Sequence, residues 1–200
     1  MNRNSPSSSP TRRLLPDQLD RQVEEHKVWL DTNGDQGRRI NLDSVSISNY
    51  SRQNLDLREA HFLRVDARYA RLQKSNLSGA FLQYSDLKDS NLSECNLESA
   101  NIAQVEATGI TLRKANLNKA NLHTTNLSDS NLTDTTFHAA NLRNADLSET
   151  RGLQAEALGR ANVSGTKLPD DVAKFGGVEV VNEATENARK LFVASGLACA

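Results

Sequence analysis

The sequence is short of the residues on which most compact domains depend. Aromatic side chains make up 4% of its 200 residues, with one tryptophan and one methionine. Hydrophobic residues are 37%, below the usual range of about 45–50%. Its two cysteines, Cys95 and Cys199, exclude a disulfide-dense secreted scaffold. No run of about 18 apolar residues occurs, which excludes a complete transmembrane helix. Met1 to Pro10 lack the apolar stretch of a signal peptide, so a reducing cytoplasm is the expected location. Charge of one sign is also missing: 24 Lys and Arg balance 25 Asp and Glu. That balance argues against a basic nucleic-acid binder and against a uniformly acidic polyanion mimic.

Catalytic motifs are missing too. There is no G-x-S-x-G, no G-x-G-x-x-G, no Walker lysine loop and no H-E-x-x-H. His26, His61, His123 and His138 are scattered, and a metal site needs several convergent ligands. Asp31-Thr32-Asn33-Gly34-Asp35 opens like an EF-hand loop, but Gln36 and Leu42 replace the glycine and glutamate of its sixth and twelfth positions. A turn is expected there. The reading is a non-enzyme with no cofactor, no metal site and no nucleic-acid partner.

What the sequence has is a period of five. From residue 57 to 147 in steps of five, all 19 positions are apolar and 14 are leucine. This column comprises Leu57, Phe62, Ala67, Leu72, Leu77, Leu82, Leu87, Leu92, Leu97, Ile102, Ala107, Leu112, Leu117, Leu122, Leu127, Leu132, Phe137, Leu142 and Leu147. The residue before is Asn or Asp at 13 of the 19, and the residue before that is almost always small, Cys95 among them. On an extended segment, residues two apart share a side. The small residue and the leucine therefore face inward, and the Asn or Asp outward. The remaining two residues must turn the chain. Short polar side chains and glycine suit that task. A helix gives a five-residue period no fixed face. A flat sheet sends successive leucines to opposite faces. A coil with one corner per pentad keeps them all inside, which defines an all-β solenoid.

Segments such as Ala115-Asn116-Leu117-Asn118-Lys119, Ala120-Asn121-Leu122-His123-Thr124 and Ala140-Asn141-Leu142-Arg143-Asn144 resemble the A(D/N)LXX motif of pentapeptide-repeat proteins. The resemblance implies a right-handed quadrilateral β-helix with four pentads per coil. A solenoid exposes an apolar cross-section at each end and needs caps, so short capping helices are expected at both ends. The expected division is a disordered tail over 1–14, a capping helix and turn over 15–38, the β-helix over 39–168, and a helical segment over 169–200. Leu19, Val23, His26 and Leu30 fall on one stripe of the first helix, with Trp29 beside it, which reads as a cap or, alternatively, as a partner-binding helix that docks elsewhere. Arg52 stands where a leucine is expected, which points to an irregular first coil. After Leu147 the register slips by one, to Leu153, Leu158, Val163 and Leu168, with a short helical turn expected at 152–158.

Four pentads per coil place residues 20 apart one above another, about 4.8 Å apart. Lys74, Glu94, Lys114 and Asp134 then form a charge ladder, and Asn76, Asn96 and Asn116, like Asn101, Asn121 and Asn141, form amide ladders. One face gathers Asp66, Asp86, Asp89, Glu106, Asp129, Asp146 and Glu149, opposed by Arg68 and Lys88. It is read either as a solvated face or as a docking strip for a basic partner. Leu63, Phe81 and Tyr84 point outward on another face, as an interaction patch or, the preferred reading, as a floor beneath the N-terminal cap. The run from Leu191 to Ala200 follows Arg189-Lys190 and is nearly all apolar. Leu191, Phe192, Val193 and Leu197 suit a homodimer contact, a packed end, or the start of a membrane segment with the solenoid at its cytoplasmic face. The functional expectation is a scaffold that presents lateral faces to a protein partner. The alternative, taken from one branch of the resembled family, is a DNA mimic that inhibits or protects a type II topoisomerase.

Overall fold

The computed structural model of the protein describes residues 12–173. Its backbone is built almost entirely from single-residue parallel bridges between positions 20 apart, such as Asn76 with Asn96, Asn96 with Asn116 and Asn121 with Asn141. Twenty residues are four pentads, so each coil has four sides.

Why five residues make one side is visible in the fate of each N–H in the pentad Ser90 to Glu94. Ser90 donates to Leu87 C=O (3.1 Å), which closes the preceding corner. Asn91 donates one coil back to Ala70 C=O (2.8 Å), and Leu92 one coil forward to Thr111 C=O (2.8 Å). Ser93 donates to the Asn91 side chain, Oδ1 (3.0 Å). Glu94 donates forward to Arg113 C=O (2.8 Å). All five donors are satisfied, the condition a buried backbone must meet. The fourth bond explains the Asn/Asp column: at every Asn or Asp of that column from Asp56 to Asn162, the carboxamide or carboxylate accepts the N–H two residues on.

Each corner carries a positive φ at the second residue after the leucine, as a turn of type II requires. Composition matters less there than expected. Lys74, Tyr84, Glu94 and Gln104 hold φ of 61°, 62°, 60° and 59°. The ladder bonds and leucine burial on either side impose a conformation those residues seldom adopt alone. The leucine column fills the tube. Every leucine, isoleucine and phenylalanine in it from Leu57 to Leu147 is at most 6% exposed, each contributing about 1.5–3 kcal/mol of burial. Hydroxyls of the small column are bonded to carbonyls inside the wall, as Thr125 is to Ile102 C=O (2.6 Å) and Thr135 to Leu112 C=O (2.8 Å).

At the upper end, β1 (Arg12–Arg13) pairs in parallel with β3 (Val45–Ser46), and β2 (Asn41–Asp43) with β4 (His61–Leu63). The expected disordered tail is therefore too long. Arg12 and Arg13 add a rung above the first coil, and Leu14 is buried; residues 1–11 lie outside the described part. Helix α1 (Pro16–Asp31) starts with proline in its first turn and with Leu15 N–H bonded to Gln18 Oε1 (3.1 Å). It buries Leu19, Val23 and His26 over the end of the tube, while Trp29 and Leu30 are half-buried. Trp29 stacks on His26 (5.6 Å between rings) and lies under the Arg39 guanidinium (5.3 Å), so it fastens the returning chain.

The first coil keeps the 20-residue spacing of its rungs but is irregular at its corners, as Arg52 led to expect: at Ser44 and Asn54 the closing turn bond is missing, and Leu55 N–H donates instead to Ser75 Oγ (3.1 Å). Ser51 bridges Arg71 at the usual spacing. Arg52 turns to the cap, where its guanidinium binds Asp20 (2.6 Å), and buried Tyr50 donates to the same carboxylate (2.6 Å). An end coil meets a helix rather than another leucine layer, so an anchor replaces the filler.

His26 is fully buried and neutral by geometry. Its Nδ1 accepts Ile40 N–H (3.2 Å), and Nε2–H donates to Arg58 C=O (3.0 Å). Burial pushes its pKa below the ordinary value near 6.5, against the Arg58 carbonyl bond and Asp56, while Arg39 and Arg58 add to the lowering. The unfolded chain therefore binds a proton that the folded chain refuses. The contribution is complete above about pH 6.5 and is lost as pH falls below it, at up to about 1.4 kcal/mol per pH unit. Urea melts followed by Trp29 fluorescence at pH 7.5 and 5.5 should show this loss, reduced in His26→Gln. His61, also lowered by burial, supplies the remainder.

At the lower end the ladder changes from 20 residues (Asn131 with Arg151) to 21 (Asn141 with Asn162, Asp146 with Lys167). The extra residue is absorbed by a 3-10 turn at Ala155–Leu158. Leu153, Leu158 and Val163 remain buried, and Leu168 packs on the core from a half-buried position. A four-residue helix, α2 (Asp170–Ala173), follows and buries Val172. The helix expected over 178–200, with Leu191, Phe192, Val193 and Leu197, lies outside the described residues. No helix among those described is long and apolar enough to cross a membrane.

Candidate interaction faces

The tube leaves little room inside. Its interior voids, between the leucine layers, are about 20 Å³ and about 10 Å³, at most a water molecule each. An open cleft of about 400 Å³ lies near the lower end between Thr136–His138 and Glu156–Arg160, where the 3-10 turn replaces a regular side. Among the described residues, no three His, Cys, Asp or Glu converge on a metal position. The EF-hand-like segment forms the exit from α1, with Gly34 N–H on Trp29 C=O (2.8 Å). His123 donates from its ring to Arg143 C=O (2.9 Å), and His138 N–H binds Asn118 Oδ1 (2.7 Å), on different sides of the tube. Cys95 is buried and its thiol donates to Leu72 C=O (3.0 Å); burial pushes its pKa up to about 12. It is packing, not a nucleophile.

Chemistry is left to the outer faces. The acidic residues expected together are brought together. Asp66, Asp86, Glu106, Asn126 and Asp146 form one bridge column, and Asp89, Asp129 and Glu149 stand at its corner. The column is more neutralised than the sequence suggests. Arg68 binds Asp66 (2.8 Å) and lies near Asp86 (3.8 Å), and Lys88 approaches Glu106 (3.9 Å). The slip adds Lys167, bonded to Asp146 (2.7 Å); strict counting in twenties misses it. Arg68, then Ser46, hold the Asp66 carboxyl below the usual carboxylate range, against some burial. Such exposed pairs contribute about 0–1 kcal/mol each. Asp89, Asp129 and Glu149 carry the strip's remaining charge.

The other ladders form in part. Asn121 donates to Asn101 (3.2 Å), Asn141 to Asn121 (3.0 Å) and Asn116 to Asn96 (3.1 Å). Of the charge ladder only Lys74 and Glu94 come within reach, at 4.0 Å. A long side chain reaches better along the diagonal, as Lys119 does to Glu98 (2.7 Å).

The floor reading is overturned. The cap covers the end of the tube, and its hydrogen bonds run to Ile40, Tyr50, Arg52 and Arg58. Phe81 and Tyr84 on the flank stay 37% and 58% exposed, with Leu63 half-buried beside them.

A tube with four sides per coil, leucine-filled and capped, defines a right-handed quadrilateral β-helix. The chain belongs to the pentapeptide-repeat family, whose profile matches it in 8 copies over residues 53–83, 90–129 and 115–151. Among solved structures it is similar to a trypsin-treated variant of QnrB1, a plasmid-mediated fluoroquinolone resistance protein. That match has 19% identity, covers 69% of this chain and 68% of that one, and has a TM-score of 0.52. It is also similar to HetL, a pentapeptide repeat protein involved in heterocyst differentiation regulation in the cyanobacterium Nostoc (24% identity, 76% and 79% covered, TM-score 0.23). A third is Rfr23 of the cyanobacterium Cyanothece (27% identity, 70% and 83% covered, TM-score 0.23). A comparison with curated protein sequences gave no match.

Proposed function

We propose that the chain is a non-enzymatic scaffold that binds a protein partner on a lateral face of its β-helix, in the cytoplasm. The observation that carries this reading is the exposure of Phe81 and Tyr84 on the flank, beside the acidic column and away from the cap. The interior voids between the leucine layers are too small for a substrate, and the open cleft at the lower end lies outside the tube. Its bridged walls hold outward side chains at fixed spacing, which lowers the ordering cost of binding. The test is affinity capture from a cellular lysate on the immobilised chain, native and with Asp89, Asp129 and Glu149 replaced by lysine. A discrete protein retained by the native chain and lost from the reversed one is expected. Retention of no protein by either chain overturns the reading, and identical retention by both takes the contact away from the acidic corner.

The second reading, DNA mimicry directed at a type II topoisomerase, draws support from the likeness to QnrB1, which at 19% identity is a likeness of fold. Arg68, Lys88 and Lys167 within the acidic column weigh against it. A gyrase supercoiling assay is expected to run unchanged at micromolar protein. Inhibition there reverses the order of the two readings.

A further inference from the structure

The ladder of the tube wall is broken beside the open cleft at the lower end. From Ile47 to Leu147, every residue at the leucine position donates its N–H to the coil below except Phe137. In the small column from Ile40 to Ala145, every carbonyl receives an N–H from the coil below except that of Thr135. Ala139 N–H, at the corner that follows, is also bonded to no described residue, although Lys119, one coil above, donates to His138 C=O (2.8 Å). Phe137 is closed to solvent, so water does not replace its lost bond, and unpaired buried backbone groups are rare.

The next side of the tube shows what is missing. There Asn162 N–H donates to Ala140 C=O (2.8 Å), Leu142 N–H to Asn162 C=O (2.8 Å), and Asn144 N–H to Ser164 C=O (2.9 Å). Five residues earlier, Ala157 and Gly159 would serve Thr135, Phe137 and Ala139 in the same way. They are turned instead into the 3-10 helix, where their N–H groups donate to Gln154 C=O (3.1 Å) and Glu156 C=O (3.2 Å).

The cause lies in two residues. Leu158 already occupies the leucine position of the 21-residue register, where it is buried, and Ala161 N–H closes the corner on Leu158 C=O (2.9 Å) as in a regular pentad. The repeat runs small residue, Asn or Asp, leucine; here it runs Glu156-Ala157-Leu158, with the first two inverted. The small position faces inward, and from Ala60 to Ala145 its residues are uncharged and at most 3% exposed. A carboxylate placed there loses its hydration. Ala157, in turn, has no side-chain oxygen to accept the N–H two residues on. The remaining positions fit a regular side: Ala155 and Arg160 fall on corners of the kind that Ala139 and Arg64 hold at φ 56° and 52°.

We propose that residues 154–160 are a hinged section of wall, held open by the Glu156 carboxylate and ready to close on residues 135–139 once that charge is removed. Closure gains three ladder bonds and gives up two turn bonds, and burial of the carboxylate reverses that balance. Arg160 and, when protonated, His138 line the cleft with Glu156 and favour its outward, ionised position. The cleft of about 400 Å³ exists in the open form. Whatever occupies it binds that form alone, so occupancy and closure exclude one another.

Amide hydrogen exchange of the full chain, read by NMR as protection at Ala139 with Lys119 as the bonded reference, tests the hinge. In the native chain Ala139 is expected to be protected about tenfold less than Lys119, or less still. Glu156→Ala combined with Ala157→Asn restores the order of the repeat. This double variant is expected to raise protection at Ala139 by about tenfold or more and to melt no lower than the native chain. Glu156→Gln keeps the size of the side chain and removes its charge, and is expected to raise protection at Ala139 in part. Ala139 as protected as Lys119 in the native chain, unchanged protection in the double variant, or a lower melt there overturns the hinge. Unchanged protection in Glu156→Gln overturns the carboxylate as its latch.

Discussion

Leu117→Lys is expected to abolish the cooperative melt of the protein and to drive it into aggregates. Leu117 is fully buried, and its N–H donates to Thr136 C=O (2.9 Å) in the middle of the tube. Leu97 lies one coil above and Phe137 one coil below, both closed to solvent. A lysine, two atoms longer than the leucine it replaces, finds no exit for its ammonium, since the walls are continuous bridges and the void lined by Leu117 is about 10 Å³. Burying an unpaired charge costs several kcal/mol even after relaxation, against a total stability of about 5–15 kcal/mol for ordinary domains. In a solenoid the damage does not spread evenly. Each coil is stabilised by its two neighbours, so a failed central layer leaves two short arrays with raw ends. Leu117→Met keeps volume and polarity and should cost under about 1.5 kcal/mol. Circular dichroism melts with size-exclusion chromatography check both variants. A native-like melt of Leu117→Lys would mean that this leucine does not face the interior.

The difference between these two substitutions is readable in the sequence because it depends on one periodicity. A leucine every fifth residue is compatible with neither a helix nor a flat strand, so the corner follows before any coordinate is known. The slip after Leu147 is legible for the same reason: a single insertion moves every later leucine. Three features were hidden. Lys167 joins the acidic column only through the 21-residue spacing, which a strict 20-residue period does not contain. Arg52 reads as a fault in the pattern, because only the docked helix supplies its partner, Asp20. Phe81 and Tyr84 read as a floor, because the sequence indicates that a cap exists but not whether it lies across the end or along the side. The bond between each Asn or Asp side chain and the N–H two residues on was within reach. Its signal is the column's composition: Asn and Asp are the side chains that close that short ring.

Gly37→Ala is expected to detach the cap while the tube below it stays folded. Gly37 holds φ 72° on the return from α1, and a methyl group there would lie 2.3 Å from Glu25 C=O, 2.7 Å from Trp29 N and 3.0 Å from Val28 Cβ. Two of these are helix backbone, which cannot turn aside as a flexible side chain would. The return segment must lift, and with it go Arg38 N–H on Glu25 C=O (3.1 Å) and Ile40 N–H on His26 (3.2 Å). Gly79→Ala is the control. Its φ is 66°, but the added methyl meets only Glu59 Cγ at 3.6 Å. Ala139 already occupies a corner of the same column at φ 56°. The left-handed penalty and the lost freedom of the unfolded chain nearly offset, so Gly79→Ala should shift stability by no more than about 1 kcal/mol. Trp29, the single tryptophan, lies in the cap, so its fluorescence reports the cap while circular dichroism reports the coils. In Gly37→Ala the fluorescence transition in urea should move ahead of the dichroism transition by several tenths of the denaturant midpoint or more. In Gly79→Ala the two should coincide, as in the native chain. Coincident transitions in Gly37→Ala would mean that the cap and the coils melt as one unit and that the contact at Glu25 does not hold the cap in place.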